Sequence, residues 1–350
     1  MLHSGGDESL EGRFEYIELM HVGQAFNLGR YPLHFHMIGR VTKSYIRGCS
    51  IYHTFNRATT LHGVHYLTIE NNVAYDAMGH TIFIEDAAET KNRIIGNLVI
   101  STKPSNSLLN TDQTPACFWI THPDNIFRNN HCAGSMRYGF WFDMQTTATG
   151  PSFDPNICPT GEVLGEFDGN VVHSVGRYGL RIFHEHTPRT KPCSGYKSSV
   201  DSTQFSSSAE METAAFAANP HIEAVYQNYL GYKCGRSAII TEITSHTTFK
   251  NIKAADCKQS GIETTRPGYG KESEGMVDNA FIVGMSANAG DASLYSGAKG
   301  IVTGQRDTFL FKNVRFHKFD QDTTGNAAIG TLSHSAFSLE AEGFANTASV

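Results

Sequence analysis

A pair of histidines one residue apart, His34 and His36, stands in the apolar stretch RYPLHFHMIG. In an extended strand, side chains two positions apart point to the same face, so both imidazoles share one side and Phe35 takes the other. Such a pair could supply two metal ligands, two catalytic groups, or two histidines hydrogen-bonded in a polar ladder. The stretch by itself leaves these three alternatives open.

A column of imidazoles and carboxylates follows from the spacing of the next candidates. His62 comes 26 residues after His36, and Glu85 comes 23 residues after His62. Both steps match the length of one coil in the repeat described below, so the three side chains are predicted to stack on one face, about 5 Å apart. Such a column permits general acid–base catalysis or ligation of a divalent ion. A purely structural ladder of histidines is the alternative.

The candidate site residues are grouped by the chemistry that each side chain could carry out. The catalytic candidates are His36, His62, Glu85, Asp86 and Arg30. The metal-ligand candidates are His34, His36, His62, His80 and Glu85. The substrate-binding candidates are Arg57, Asp143 and His184. The two arginines could pair with the carboxylates of the column or with a substrate carboxylate. Imidazoles with a carboxylate suit zinc, whereas mostly oxygen ligands suit calcium, so the predicted cofactor is one divalent ion, zinc or calcium.

A repeated motif indicates the fold that would position this column. An apolar residue, any residue, then Asn or Gly recurs with its last position at Gly48, Asn71, Gly96, Asn129, Gly169, Gln227 (a degenerate copy), Asn251, Gly284 and Asn313. The short steps fit one coil of a parallel β-helix, and the longer steps fit the same coil with an insertion. Asn and Gly tolerate the left-handed backbone of a corner, so these positions are expected to line up from coil to coil. A β-sandwich with coincidental Asn and Gly turns is the alternative.

Three regions follow from the repeat and its interruptions. Residues 1–186 are predicted to form N-terminal coils, 187–220 an insertion loop, and 221–350 C-terminal coils and a tail. The stretch SAEMETAAFAA (208–218) has the periodicity of a helix within the insertion. The insertion is rich in Ser, Ala and charged residues, so we expect it to protrude and to be the first site of proteolysis.

Composition and cysteine usage narrow the class of protein. A net charge of −6 and a pI near 6.3 argue against a nucleic-acid partner. There is no apolar window of 18 residues that would span a membrane, and the first residues lack the pattern of a signal peptide. The seven cysteines form no CxxC pair. Cys158 and Cys193, in Pro-rich surroundings, are the best disulfide candidates, and the other five are either paired or small buried thiols.

Long segments of the chain resemble one known family. GQAFNLGRYPLHFHMIG, GCSIYHTFNRATTLHGVHYLTIENNVAYDAMGHTIFIEDAAET and TPACFWITHPDN are similar to the β-helix region of fibrocystin-L and related polycystic-kidney-disease-type receptors. The same region is similar in the cell-migration-inducing and the transmembrane cell-surface hyaluronidases. The match is dense over 23–142 and 165–183 and weak beyond Pro188. The resemblance implies a right-handed parallel β-helix, an extracellular or cell-surface setting, and a much larger parent protein.

Two functions follow from the resemblance. The elements shared with the hyaluronidases fall on His34, His36, His62, His80, Glu85 and Asp86. They imply a glycosaminoglycan endo-depolymerase that cleaves hyaluronan. The segments TPACFWITHPDN and GRYGLRIF are closer to fibrocystin-L, for which receptor or coat roles are implied. The favoured expectation is therefore a cell-surface module for adhesion, reception or polysaccharide binding, with a metal ion in the groove, and the depolymerase is the alternative.

Overall fold

The structure is a computed structural model that describes residues 1–4, 7–106, 110–194, 200–267, 275–295, 297–304, 309–319 and 326–331. Over these residues the chain winds into a right-handed parallel β-helix with loop insertions. Its strands pair in parallel from one coil to the next. The fold predicted from the repeat is confirmed, and the β-sandwich alternative is wrong because a sandwich is built from antiparallel sheets.

Short strands joined by tight corners make up the coils. In chain order the strands are β1 (Leu2–His3), β2 (Arg13–Glu15), β3 (Glu18–Met20), β4 (Leu33–Arg40), β5 (Tyr45–Arg47), β6 (Ser50–Thr54), β7 (Thr59–His65), β8 (Thr68–Glu70), β9 (Val73–Ala77), β10 (Ile82–Ile84), β11 (Arg93–Ile95), β12 (Leu98–Ile100), β13 (Ala116–Ile120), β14 (Ile126–Arg128), β15 (His131–Ala133), β16 (Tyr138–Asp143), β17 (Glu166–Asp168), β18 (Val171–His173), β19 (Tyr178–His186), β20 (Ala224–Gln227), β21 (Leu230–Tyr232), β22 (Ser237–Thr244), β23 (Thr247–Ala255), β24 (Ser260–Pro267), β25 (Gly275–Val283), β26 (Lys299–Thr303), β27 (Phe309–His317) and β28 (Ala327–Thr331). One α-helix, α1 (Ser208–Ala218), lies in the described residues, with 3-10 turns at Asn110–Gln113, Gly150–Ser152, Pro159–Gly161, Ser202–Gln204 and Ala292–Tyr295.

Two sheets divide these strands. The first, called the site sheet below, has the order β1-β4-β7-β10-β13-β16-β19-β22-β24-β26-β28. The second contains two rows of strands, which start at β2 and β3 and merge in the longer strand β23. Each coil therefore gives one strand to the site sheet, and residues one coil apart become neighbours across its strands.

The Asn and Gly residues of the repeat occupy one corner of successive coils. Gly48, Asn71, Gly96 and Asn129 have φ angles of 60°, 56°, 65° and 54°, in the left-handed region that Asn and Gly tolerate. The strand register just before them places all four in one line, as the spacing predicts. The corner is thus a true structural repeat.

Two later members of the repeat were assigned to the wrong residue. The corner of the β20 coil is Asn228, one residue after Gln227, and the corner within β25 is Asn279 instead of Gly284. Gln227 still belongs to its strand, where it pairs with Lys250. The motif fits twice in each of these coils, since Tyr226-x-Asn228 and Val277-x-Asn279 also match it, so the pattern alone does not identify the corner.

A ladder of buried amides follows the corner. Asn72 Nδ2 donates to Asn97 Oδ1 at 2.9 Å, Asn97 Nδ2 to Asn130 Oδ1 at 3.0 Å, and Asn130 Nδ2 to Asn170 Oδ1 at 3.1 Å. None of these four residues is more than 5% exposed. The ladder satisfies polar groups that the tight corner would otherwise leave buried without partners.

Aromatic rings fill the interior of the middle coils. Phe118 of β13 stacks on Phe140 of β16 with ring centroids 4.3 Å apart, and Phe127 meets both rings edge-on. A separate apolar cluster lies on the outer face of the site sheet around Trp119 and Trp141. The core therefore fixes the strands, while the outer face is free to carry other chemistry.

The predicted insertion contains the one α-helix of the described residues. Helix α1 forms where the periodicity predicts it, with the Ser207 hydroxyl accepting from the Glu210 N–H at 3.2 Å as an N-cap. Residues 195–199 of the insertion and the tail from 332 onward lie outside the described residues. The division into 1–186, 187–220 and 221–350 stays a prediction.

Two disulfides are present. The predicted bond between Cys158 and Cys193 is confirmed, with Cα atoms 5.1 Å apart. A second bond joins Cys117 of β13 to Cys132 of β15. The sequence left this pair undecided because the two cysteines meet only through the course of the coil. The remaining three cysteines are buried thiols at positions Cys49, Cys234 and Cys257.

Candidate functional site

Strand alternation brings three imidazoles to the outer face of the site sheet. His34 and His36 lie on β4, and the register pairs His36 with His62 on β7. Phe35 and Leu61, the intervening residues, are fully buried in the core. The side chains of the three histidines therefore converge outside the coil, as the spacing of one coil length predicts.

The three rings form a compact group, called the histidine cluster below. Ring centroids are 5.1 Å apart for His34 and His36, 4.5 Å for His36 and His62, and 6.0 Å for His34 and His62. One nitrogen from each ring lies within 4.8 Å of the others. Within the described part of the chain, no other group of three histidine, cysteine or carboxylate side chains meets this test.

Hydrogen bonds decide which nitrogens of the cluster are free. His34 Nδ1 lies 2.9 Å from the Gly29 carbonyl oxygen, which only accepts, so the proton sits on Nδ1. Its Nε2 is then a bare lone pair, buried and without a partner among the described residues. His36 Nδ1 contacts Nδ1 of His3 at 2.7 Å, so one of these two nitrogens carries a proton. His3 Nδ1 also lies 3.2 Å from the His36 carbonyl oxygen, so a proton on His3 Nδ1 serves both contacts, and His36 Nε2 is a ligand only in the tautomer that carries its proton on Nδ1.

Two carboxylates flank the third histidine. His62 Nε2 lies 2.7 Å from Asp86 Oδ2, and His62 Nδ1 lies 3.3 Å from Glu85 Oε2. Asp86 is held in place because its Oδ2 also accepts the Ser152 N–H at 3.1 Å. A carboxylate on one ring nitrogen fixes the tautomer and orients the other nitrogen, which is the arrangement found behind many metal-ligating histidines.

A residue that the sequence analysis missed, Glu89, shapes the turn that carries both carboxylates. Its Oε1 accepts the N–H groups of Gly63 and Asp86 at 2.8 and 3.1 Å, and its Oε2 accepts the Ala88 N–H at 3.1 Å. Burial raises the pKa of Glu89 to about 7. Glu89 is a positioning residue, and the only signal in the sequence is its place in EDAAET, three residues after Asp86.

Burial controls the charge of the cluster. It lowers the pKa of His34 to about 3 and also lowers the pKa of His36. Burial opposes a charge on His62 too, but the hydrogen bond to Asp86 and the charge of Glu85 outweigh it and raise the pKa of His62. Burial raises the pKa of Glu85, against the opposing effect of His62. At neutral pH the first two imidazoles are therefore neutral, which is the form that binds a metal.

A buried ion pair forms a second layer beside the cluster. The Arg57 guanidinium donates to Asp112 through Nε and Nη2 at 3.2 and 2.8 Å, and to the Tyr31 hydroxyl at 3.0 Å. Arg57 is 1% exposed. The structure does not support its assignment to substrate binding, because its guanidinium is enclosed against Asp112 and Tyr31. Its expected pairing with Glu85 or Asp86 is wrong, because Asp112 takes that place.

His80 belongs to this second layer instead of the histidine cluster. Its Nδ1 accepts the Ala116 N–H at 3.1 Å, so the proton sits on Nε2, which lies 3.8 Å from Asp112 Oδ1. The ring packs on Trp119 and is fully buried, and burial lowers the pKa of His80 to about 3. The structure does not support His80 as a metal ligand, because its one lone pair is already used.

The remaining sequence candidates lie further along the same face or at its edge. Asp143 ends β16 and pairs with Phe183 in the register, and burial raises the pKa of Asp143 to about 6. His184 is exposed at the next position of β19, and Arg30 is exposed before β4. Neither side chain joins the histidine cluster. Arg181, which the sequence analysis did not single out, lies beside Trp141 and pairs with Glu242 at 2.9 Å.

Comparison with known proteins now gives the family. The model of a family described as the CEMIP beta-helix matches residues 5–180, which is just over half of the chain and includes the histidine cluster and both flanking carboxylates. This chain belongs to the CEMIP beta-helix family. The resemblance stated from the sequence motifs is thereby confirmed.

The similarity to curated relatives extends over different shares of this chain. Human fibrocystin-L is 36% identical over 323 residues, covering 90% of this chain and 7% of that protein. Human cell surface hyaluronidase CEMIP2 is 36% identical over 201 residues, covering 48% of this chain and 14% of that protein. The chain thus spans less than a tenth of fibrocystin-L. Among solved structures, the receptor-binding tailspike protein of bacteriophage Det7 covers 89% of this chain and 53% of its own, with a TM-score of 0.45 and 11% identity.

The described residues also bear on a membrane location. Among them no helix combines the length and the apolar character that crossing a bilayer requires.

Proposed function

We propose that this chain is an extracellular or cell-surface β-helix module that binds a polysaccharide or another surface ligand and holds one divalent metal ion at the histidine cluster. The observation that carries the proposal is the convergence of three ring nitrogens within 4.8 Å of one another on a rigid sheet face. A ligand-free role for such a group is disfavoured, since a buried polar atom without a partner costs free energy.

The donor set favours zinc or a similar ion over calcium. His34 Nε2 has a free lone pair, His36 Nε2 offers one in the tautomer that is protonated on Nδ1, and His62 is oriented by Asp86. Glu85 Oε2 is buried without a hydrogen-bond partner among the described residues, 3.3 Å from His62, and would complete the set. Three imidazoles and one carboxylate are ligands that zinc prefers, whereas calcium takes six to eight oxygens.

Two features support an extracellular or cell-surface location. The chain contains disulfides between Cys117 and Cys132 and between Cys158 and Cys193, and such bonds persist in oxidising compartments. CEMIP2 is named a cell surface hyaluronidase, and the chain is 36% identical to it over 201 residues. A polysaccharide is therefore the first ligand class to test, in a role in adhesion or reception.

A glycosaminoglycan endo-depolymerase is the second candidate. The name of CEMIP2 suggests the reaction, and Glu85 supplies a group suited to it. Burial raises the pKa of Glu85, as a general acid at neutral pH requires, and the carboxyl group is still partly exposed on the outer face. In this alternative His36 and His62 would hold the metal or a proton beside the cleaved bond, and Asp143 and His184 would contact the substrate further along the sheet.

The metal is tested by titrating chelator-treated protein with zinc and, separately, with calcium, using calorimetry. We expect one zinc per chain and weak calcium binding. His36→Ala should lower zinc affinity at least tenfold, because one of three imidazole ligands is lost. His173→Ala is the matched control, since His173 lies on the second sheet and stacks on Tyr232, outside the cluster. If His36→Ala leaves metal content unchanged and lowers only thermal stability, by about 1–3 kcal/mol, the cluster is a structural ladder.

The ligand and the reaction are tested with size-defined, labelled polysaccharides, hyaluronan among them, with and without zinc. If the protein retains a labelled polysaccharide and the length of that polysaccharide does not change, the chain is a binding module. If the polysaccharide is shortened by the unsubstituted chain but not by the Glu85→Gln variant, the chain is a depolymerase. If no polysaccharide is retained or shortened in either condition, the polysaccharide proposal fails, whatever the outcome of the metal titration.

A further inference from the structure

Cys234 and Cys257 occupy equivalent positions on two successive coils. They are 23 residues apart, which is the length of the coil between them. The register pairs Tyr232 with Ala255, two residues before each cysteine. Lys233 and Asp256, one residue before each cysteine, both adopt the left-handed conformation, with φ angles of 53° and 55°. The backbone therefore makes the same turn twice and delivers the two thiols one above the other.

Hydrogen bonds confirm that the coils are adjacent at this point. The Lys258 N–H donates to the Cys234 carbonyl oxygen at 3.1 Å, just after the second cysteine. Both thiols point into the core, where Cys234 is 0% and Cys257 is 5% exposed. Each thiol lies near the carbonyl oxygen two residues before it, at 3.8 Å for Cys234 and 3.5 Å for Cys257, and the Cys257 thiol, together with burial, raises the pKa of Cys234 well above its usual value.

This arrangement meets the distance requirement of a disulfide. Facing residues on neighbouring strands lie about 4.7–4.9 Å apart, and disulfides form across Cα distances of about 4.4–6.8 Å. The two bonds already present in the chain span 5.1 and 6.0 Å. The third thiol, Cys49, differs because its neighbour on the next coil is Asn72, whose Oδ1 accepts the Cys49 N–H.

We propose that Cys234 and Cys257 form a third disulfide when the chain folds in an oxidising compartment. A disulfide of a small thiol, such as glutathione disulfide, is the oxidant. The Cys257 thiolate attacks one sulfur of it, which forms a mixed disulfide and releases one glutathione thiolate. The Cys234 thiolate then attacks the Cys257 sulfur, which closes the protein disulfide and releases the second glutathione thiolate. Two protein thiols are oxidised, one glutathione disulfide is reduced, and both protons end on glutathione.

The bond would crosslink the two ends of one complete coil. Because the loop between the cysteines is one turn of the solenoid, the crosslink holds β22 and the strands beside it in register with the coil below. A crosslink of this kind stabilises mainly by restricting the unfolded chain. It would act in the C-terminal coils, since the two observed disulfides link residues of the coils before them. Both thiols are buried once the coils have packed, so the exchange takes place during folding.

The test is oxidative refolding of the full chain. Reduced, unfolded protein is refolded in a mixture of glutathione and glutathione disulfide, blocked with N-ethylmaleimide under denaturing conditions, digested and analysed by mass spectrometry. We expect one linked peptide pair that contains Cys234 and Cys257 and lacks two hydrogens, next to the two disulfides already described. Cys49 should be recovered as the maleimide adduct. Cys257→Ala should show Cys234 as an adduct as well, and its urea midpoint should no longer depend on the redox state of this pair.

The proposal is overturned if both cysteines are recovered as adducts from chains in which the other two disulfides have formed. It is also overturned if Cys49 is found linked to either of them. Cys49→Ala is the matched control: it removes a buried thiol from the other corner of the coil, just after Gly48, and should leave the new crosslink and the redox dependence of the urea midpoint intact. The disulfide pairing is read from the unsubstituted chain, so a misfolded Cys257→Ala chain would leave that result unchanged.

Discussion

Replacing Asp112 with Asn tests whether Arg57 is a structural residue. The change keeps the shape of the side chain but removes the charge that faces the guanidinium. Arg57 and Asp112 are 1% and 3% exposed, and three hydrogen bonds hold the guanidinium in place. An arginine left without its counter-charge at this depth remains charged, so the folded state carries the desolvation cost alone.

The magnitude follows from the burial of the pair. Breaking a buried ion pair by removing one partner costs about 3–5 kcal/mol of unfolding free energy. Replacing both residues, as Arg57→Met with Asp112→Leu, removes the lone charge. It leaves two groups without these partners: the Tyr31 hydroxyl and the backbone N–H of His80, which donates to Asp112 Oδ1 at 3.1 Å. At about 1 kcal/mol for each lost bond, the double variant should lose about 2 kcal/mol, less than the single variant.

Urea unfolding followed by tryptophan fluorescence measures both variants, because the chain has two tryptophans and both lie on the outer face of the site sheet. Glu11→Gln is the control, since Glu11 pairs with Arg13 at the surface and should hardly change the midpoint. The reasoning is refuted if Asp112→Asn is no more harmful than this control. It is also refuted if Asp112→Asn weakens ligand binding while leaving stability intact, as a substrate-binding Arg57 would require.

Three further predictions concern charge, the amide ladder and the corner. Burial lowers the pKa of His122 to about 3, so the folded state binds fewer protons than the unfolded state, and stability is lost as pH falls from about 6.5 towards 3. His122→Asn should therefore reduce the loss of unfolding free energy between pH 7 and pH 5 by about 2 kcal/mol, and an unchanged loss in urea titrations at the two pH values would contradict this assignment. Asn97→Ala should cost about 2–4 kcal/mol, because it removes the hydrogen bonds that the Asn97 side chain makes with Asn72, Asn130 and the Ile69 carbonyl; a calorimetric melting shift no larger than that of a surface Asn→Ala variant would show that the ladder is dispensable. Gly96→Val should lower the melting temperature more than Gly290→Val, since a side chain at Gly96 meets Asn71 Oδ1 at 2.5 Å whereas Gly290 has open space, although both have positive φ; equal shifts would show that the corner is not tightly packed.

The coil could be predicted from the sequence because its corner needs a backbone that few residues adopt. Gly48, Asn71, Gly96 and Asn129 mark that corner in the first half, and their spacing gives the length of each coil. In the second half the corner residues Asn228, Asn251, Asn279 and Asn313 still fit the pattern, but it also fits residues near Asn228 and Asn279, so Gln227 and Gly284 were assigned instead. Spacing predicts position well only while each coil keeps the same construction.

The histidine cluster could be predicted for the same reason, and the second layer could not. His36 and His62 are one coil length apart in the sequence, and this spacing predicts that they are neighbours on adjacent strands. Asp112 comes from a 3-10 turn within an insertion, and nothing in the spacing of the coil says where an insertion folds back. Arg57 and His80 were therefore assigned to the site, because the sequence does not indicate that Asp112 is their partner.

The two layers on the outer face place opposite demands on their residues, and this difference makes the proposed function testable. In the histidine cluster, His34 Nε2 and the neighbouring Glu85 Oε2 are buried without hydrogen-bond partners among the described residues, which is unfavourable for stability unless something binds there. In the layer of Arg57 and Asp112, the charges are matched and enclosed. Because both layers rest on the same rigid strands, a variant that loses metal affinity but keeps its unfolding free energy acts in the cluster. A variant that loses unfolding free energy first acts through the frame that holds it.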